Sequence, residues 1–484
     1  MMSTQEHAGA ASTTRRLVML VALGHFGWAL RIAATHPGLA WEPDRVANRL
    51  YLSGLLTGTP RLAEFWYFPA PKILGVLLSA PLVGETGEAL LAALAAAILA
   101  GSASWILARS FGPLAGLGLG AVLALDPWWT SLVATASGDL HLAAGVTAAI
   151  AAWEADRPRL ATAFVLLSTL AKTPGAVVIL PMLVDGRRSF TARAWPLAAA
   201  FAGLLATLVG YAVLLGDSAV PFRFLRAYTE MSGAPAPTVV PWIAHWLGYE
   251  VFGGVLGWCW PLGVVGLAAT FREAQAGPMR RWLAASVGVA AGFAVLAALT
   301  ATLLFPRFLW SLELVSVALC VAGAVVAGRF LGRRVADSRS AGWLAAGFGV
   351  AGCVLVGASL ARLEGQAKHY EVLFEYGART AVPWLEQLRD RVAPGERILV
   401  PVWFQPAAMS ILPGSRVEAG EVLIANPPSD HLPPPEWILL APAYVDPRTA
   451  RWLVEQARTG EVVASSDLPR MSLLRLARPP TSVD

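Results

Sequence analysis

Charged residues are scarce in this 484-residue chain: Asp, Glu, Lys and Arg make up 14% of it and hydrophobic residues 56%. A soluble domain runs at roughly 25% and 45–50%. The imbalance excludes a soluble globular fold for most of the chain, because one core cannot absorb that much apolar sequence. Cysteine is nearly missing too. Cys259, Cys320 and Cys353 all sit inside apolar segments, which leaves no disulfide framework and no thiolate metal site, so they read as small hydrophobes. No His-x-x-x-His pair occurs, and a divalent metal therefore finds no support in the sequence. The C-terminal tail from about residue 368 holds no glycine-rich nucleotide fingerprint, and the chain shows no internal repeat. The net charge of +5 suggests no nucleic acid, since the arginines fall in short loops and form no basic stripe. Arg15 and Arg16 precede an apolar stretch over 17–34 that lacks a small-residue cleavage site, so it reads as a retained span and not as a signal peptide.

What the chain does have is apolar blocks long enough to cross about 30 Å of hydrocarbon. Spans are predicted at about 17–34, 86–108, 113–126, 137–153, 159–171, 174–185, 194–215, 250–270, 282–304, 308–328 and 341–360. The chain is thus expected to be a polytopic α-helical membrane protein of about eleven spans. Basic loops at Arg109, 157–159, 187–193, 272–281 and 329–339 place those connections, and the N-terminus, in the cytoplasm. An odd count sends the C-terminal tail outside, with the loops 35–85, 127–136 and 216–249 and the turns at 172–173 and 305–307. The block over 73–83 is too short to cross and reads as a re-entrant or interfacial helix. Tryptophans such as Trp41, Trp128 and Trp310 lie at block edges, where their rings suit the headgroup layer.

The composition changes near residue 366. Residues 1–366 are predicted to form the membrane domain, with a large first outer loop at 35–85, and 367–484 a small extracytoplasmic α/β domain. In the latter, strand-like runs at 397–402 and 437–440 alternate with helical stretches at 380–391 and 447–459, which suggests a partly parallel sheet.

An ionisable residue at membrane depth costs several kcal/mol and marks a candidate site. Few qualify here, and the map places them on the outer face. Glu42 and Asp44, in Trp41-Glu42-Pro43-Asp44-Arg45, follow the first span; a carboxylate there can take a proton from an acceptor hydroxyl, although Asp44 equally suits the cap of a helix over 45–57. Asp139 opens the span at 137–153, as a site residue or as a cap. Lys172 stands alone between two short apolar helices and either pairs with an anion, such as a phosphate or Asp139, or snorkels to the interface. Arg307 opens the span at 308–328, where a cation opposes the helix dipole and suits a bound phosphate. Lys72 begins the re-entrant block after Pro69-Ala70-Pro71. His25 and His245 read as core or interface histidines.

In order and common side, these residues resemble the GT-C superfamily of integral membrane glycosyltransferases, which includes protein O-mannosyltransferases and the lipid A aminoarabinose transferase group. Asp44, with Glu42 beside it, matches the acid of the first outer loop, and Pro69 to Lys72 matches a Pro-rich segment with a nearby Lys. Asp139 matches an aspartate at the mouth of a later helix, Leu170 to Pro174 a Leu-x-Lys-x-Pro-like turn, and Arg307-Phe308 an Arg-aromatic start to a late helix. Two details differ: Pro43 separates Glu42 from Asp44, where the family often has adjacent acids, and Lys72 follows the prolines instead of preceding them. The resemblance implies a GT-C-like bundle in the plasma (inner) membrane with an extracytoplasmic site. It also implies a polyprenyl-phosphate-linked sugar donor and inversion at the anomeric carbon. Asp44 would be the base, and Lys72, Lys172 and Arg307 would hold the donor phosphate. The acceptor, whether glycan, lipid or protein, stays open. The competing reading is a polytopic transporter or lipid flippase, which also places charges inside a bundle.

Overall fold

The run EALLAALAAAILA from Glu88 to Ala100 joins strong helix formers to an apolar surface. In a computed structural model of the chain it lies within a 28-residue helix, Gly84–Phe111. The structure describes residues 4–35, 46, 84–134, 138–215, 257–300, 310–335, 340–361, 377–420, 435–445, 447–467 and 470–476. They belong to two compact units: the second comprises the described residues from 377 onward together with Thr35 and Val46, and the first comprises the rest. The boundary expected at 366 and the block over 73–83 lie outside the described residues.

The first unit is helical. In chain order its helices are α1 Thr4–Thr35, α2 Gly84–Phe111, α3 Pro113–Leu123, α4 Pro127–Ala134, α5 Gly138–Glu154 and α6 Pro158–Ala171. A 3-10 stretch Thr173–Ile179 then leads into the short α7 Leu180–Leu183, followed by α8 Phe190–Leu215, α9 Trp260–Arg272, α10 Gly277–Thr300, α11 Trp310–Val335 and α12 Ala341–Ala361. Among the described residues, six helical stretches are long and apolar enough to cross a membrane: Thr14–Thr35, Ala89–Phe111, Phe190–Gly210, Ala274–Leu296, Trp310–Arg334 and Ala341–Ala361. Two of the expected limits shift. The span drawn over 113–126 is a helix of only 11 residues. The basic loop drawn over 329–339 begins as the last turns of α11, where Arg333 and Arg334 complement the negative end of the helix dipole.

Close helix crossings depend on small residues, as membrane helices require. A Cβ built on Gly266 of α9 would stand 1.9 Å from the Leu319 carbonyl oxygen, and one on Gly323 of α11 1.8 Å from that of Leu262. The two backbones touch, and a backbone cannot step aside. Gly323→Val is therefore expected to cost at least the upper end of the roughly 1–3 kcal/mol of overpacking, read as a lowered melting temperature in detergent. A variant that melts with the wild type would contradict so close a crossing.

The second unit is a mixed sheet between two helical layers. Its strands are β1 Arg397–Val400, β2 Arg416–Ala419, β3 Trp437–Leu440, β4 Gly460–Asp467 and β5 Arg470–Leu476, in the order β2-β1-β3-β5-β4. β1 pairs in parallel with β2 and β3, while β3-β5 and β5-β4 are antiparallel. Side chains alternate as the pleat dictates. Ile398, Val400, Trp437 and Leu439 pack with Ala381, Leu385 and Leu388 of a helix over 377–388 and with Ala408 and Ile411 of the helix Gln405–Ile411. Leu399 and Ile438 face the other way, onto Leu453 of the helix Pro447–Gln456.

Candidate functional site

α6 ends where it does because of Pro174, which cannot donate to a helical ladder and would crowd the carbonyl four residues earlier. The Lys172 N–H makes the last helical bond, to the Ser168 carbonyl at 3.1 Å, and Lys172 itself is extended. The chain then turns sharply, the Gly175 N–H donating to the Lys172 carbonyl at 2.8 Å. Only glycine fits at 175, since a Cβ would lie 2.2 Å from the Ser168 carbonyl oxygen. The Ser168 hydroxyl donates to the Val165 and Gly175 carbonyls, at 2.9 and 3.3 Å, which fastens the turn to its own helix. The backbone of Lys172 is thereby fixed at a helix break.

The Lys172 ammonium reaches the first turn of α5, where Nζ donates to Asp139 Oδ1 at 2.6 Å. The Asp139 side chain is 4% exposed and that of Lys172 21%. A charge-assisted bond of this length in a desolvated place holds both groups firmly, and the lysine still meets the surface. Between its alternatives, Lys172 is therefore an ion-pair partner and not a snorkelling cation. The structure brings these two candidates together across 33 residues of sequence. Asp44, Glu42, Lys72 and Arg307 lie outside the described residues.

Other buried polar groups escape notice in the sequence. Glu313, in the first turn of α11, and Asp126, just before α4, are each 6% exposed. Both carry the same signal as Asp139, an acid within or beside an apolar block. His25 is a core histidine: its Nε2 bonds the Gly120 carbonyl at 2.9 Å, and its ring meets Trp129 edge-on with centroids 5.2 Å apart. Among the described residues no group of three His, Cys, Asp or Glu side chains is placed to hold a metal ion.

The far end of α5 carries a second ionic cluster. Glu154 is fifteen residues beyond Asp139 on that helix, a separation of roughly 22 Å at 1.5 Å per residue. Arg281 of α10 contacts Glu154 at 2.5 Å and Asp185 at 3.3 Å, and Arg187 contacts Asp185 at 2.9 Å and Glu154 at 3.1 Å. Trp153 Nε1 also donates to Asp185 Oδ2, at 2.9 Å. Arginines read from the sequence as topology signals are thus also clasps between α5, α10 and the turn after α7. Asp185→Asn removes the charge at the centre of the cluster. It is expected to cost about 1–3 kcal/mol, less than a fully buried pair because Arg187 is half exposed, and thermal melting in detergent measures it.

No protein-family model and no curated protein matches the sequence. The fold does match solved structures. ArnT from Cupriavidus metallidurans, bound to undecaprenyl phosphate, superposes with a TM-score of 0.52 at 13% identity, covering 95% of this chain and 97% of that one. Its apo structure gives a TM-score of 0.49 at 14% identity, covering 93% and 97%. The archaeal oligosaccharyltransferase AglB from Archaeoglobus fulgidus, in complex with an inhibitory peptide and a dolichol-phosphate, gives 0.45 at 11% identity, covering 96% and 75%. The chain shares the fold of that undecaprenyl-phosphate-bound ArnT structure. The six helices long and apolar enough to cross a membrane among the described residues make the chain a multi-pass membrane protein.

Proposed function

We propose that this protein is a membrane glycosyltransferase that moves a sugar from a polyprenyl-phosphate-linked donor to an extracytoplasmic acceptor, with inversion. The observation that carries this reading is the Lys172–Asp139 pair, held at a helix break in a fold shared with that ArnT structure. A related fold solved with undecaprenyl phosphate supports a lipid phosphate as the anion that such a cation meets.

In this reading Asp44 takes the proton of the acceptor hydroxyl while its oxygen bonds to the anomeric carbon. The bond from that carbon to the phosphate oxygen breaks on the opposite face, and the lipid phosphate leaves with the electron pair. Lys172, Arg307 and Lys72 stabilise the charge that develops on it, as fixed cations do best where water is excluded. Asp139 holds Lys172 in place, and Glu42 stands beside the base. The reading invokes neither a soluble nucleotide nor a divalent metal. Its topology has about eleven spans, a cytoplasmic N-terminus and an outer C-terminal domain over 367–484.

The test is a transfer assay. Purified full-length protein is incubated with undecaprenyl-phosphate-linked radiolabelled sugar and a membrane extract as the source of acceptor. Label moving from the donor into acceptor supports the enzyme. Label crossing a vesicle membrane with no transfer would favour the transporter or flippase.

A further inference from the structure

The Lys172 ammonium has a second neighbour besides Asp139. Phe293, a buried residue of α10, places its ring centroid 5.6 Å from Nζ, inside the about 6 Å reach of cation–π attraction. The helix comes this close because Gly292, the residue before it, lies against the turn that follows Lys172. A Cβ there would stand 3.2 Å from Val177 Cγ2 and 3.3 Å from Pro174 Cβ.

The two anchors differ in kind. Asp139 holds Nζ by cancelling its charge, and an anion approaching a neutralised pair is drawn weakly. An aromatic ring attracts the ammonium through its quadrupole and bears no net charge. It therefore fixes the position of the ammonium while leaving its full positive charge for an incoming anion. As a phosphate draws Nζ away from Asp139 Oδ1, the ring remains the group that defines where the ammonium sits.

We infer that Phe293 is a positioning residue that holds Lys172 for the phosphate of the lipid-linked donor. The inference rests on Lys172 contacting that phosphate. The test measures equilibrium binding of undecaprenyl phosphate to the full chain in detergent, with the melting temperature of each variant taken alongside. Phe293→Leu is expected to weaken binding about tenfold. Phe293→Tyr keeps the ring and is expected to stay within about twofold of the wild type. In a Lys172→Met/Asp139→Asn background, which leaves no stranded buried charge, Phe293→Leu is expected to add no further loss, because its effect passes through the ammonium. If the Leu variant does not fold, Phe293→Met, whose unbranched chain adapts better to the space the ring leaves, replaces it with the same expectations. Wild-type binding by Phe293→Leu, an equal loss in Phe293→Tyr, or a loss that adds to that of Lys172→Met/Asp139→Asn overturns the inference. Wild-type binding by Lys172→Met instead overturns the phosphate role beneath it, so the two failures are told apart.

Discussion

Asp44→Asn is expected to reduce sugar transfer by about 10²–10⁴-fold, the span that a positioned general base contributes, while leaving undecaprenyl phosphate binding unchanged. Asn has nearly the shape of Asp and can still accept a hydrogen bond, so a helix cap at 44 would survive the change. The ability to take up a proton would not. The transfer assay therefore separates the two readings of Asp44 that the sequence leaves open, cap and base. Initial rates at saturating donor are the quantity to compare, because loss of a base lowers the chemical step and leaves donor affinity in place. Transfer at the wild-type rate by Asp44→Asn removes Asp44 as base. If Glu42→Gln then abolishes transfer, the role moves two residues along the same loop, and the mechanism otherwise stands.

The parts of this molecule that were legible in the sequence are those where physics leaves one solution. Apolar runs of twenty residues have one stable home, and the six long helices fall on them. Lys172 stood out because a lone cation between apolar helices needs a partner, and the structure supplies Asp139. Phe293 was illegible, since a phenylalanine inside an apolar helix carries no signal until the fold sets it beside an ammonium. Glu154 and Asp185 gave no signal of their own, because their arginine partners come from another part of the chain and from the turn itself. In the second unit, β1 and β3 announce themselves by the apolar runs ILV, after Arg397, and WILL of strands buried on both faces. β4 reads GEVVASSD and is mostly exposed, so its pairing with β5 owes little to an apolar pattern.

Lys172→Met is the second large effect expected. Removing one donor from a developing anion typically costs about 10²–10³-fold in rate, and a fixed ammonium facing a departing phosphate belongs in that class. The variant alone proves little, because it also strands Asp139, whose side chain is 4% exposed. Breaking one side of such a pair costs about 3–5 kcal/mol, so inactivity could reflect a lost fold. The double variant Lys172→Met/Asp139→Asn resolves this. It leaves two neutral side chains of nearly native shape, and replacing both members of a buried pair is often neutral for stability. The double variant is therefore expected to recover most of the melting temperature that Lys172→Met loses, with transfer still depressed by about 10²-fold or more. Recovery of both would make the pair a structural clasp like the Glu154–Asp185 cluster at the other end of α5, and the lipid phosphate would then have to be held by other cations.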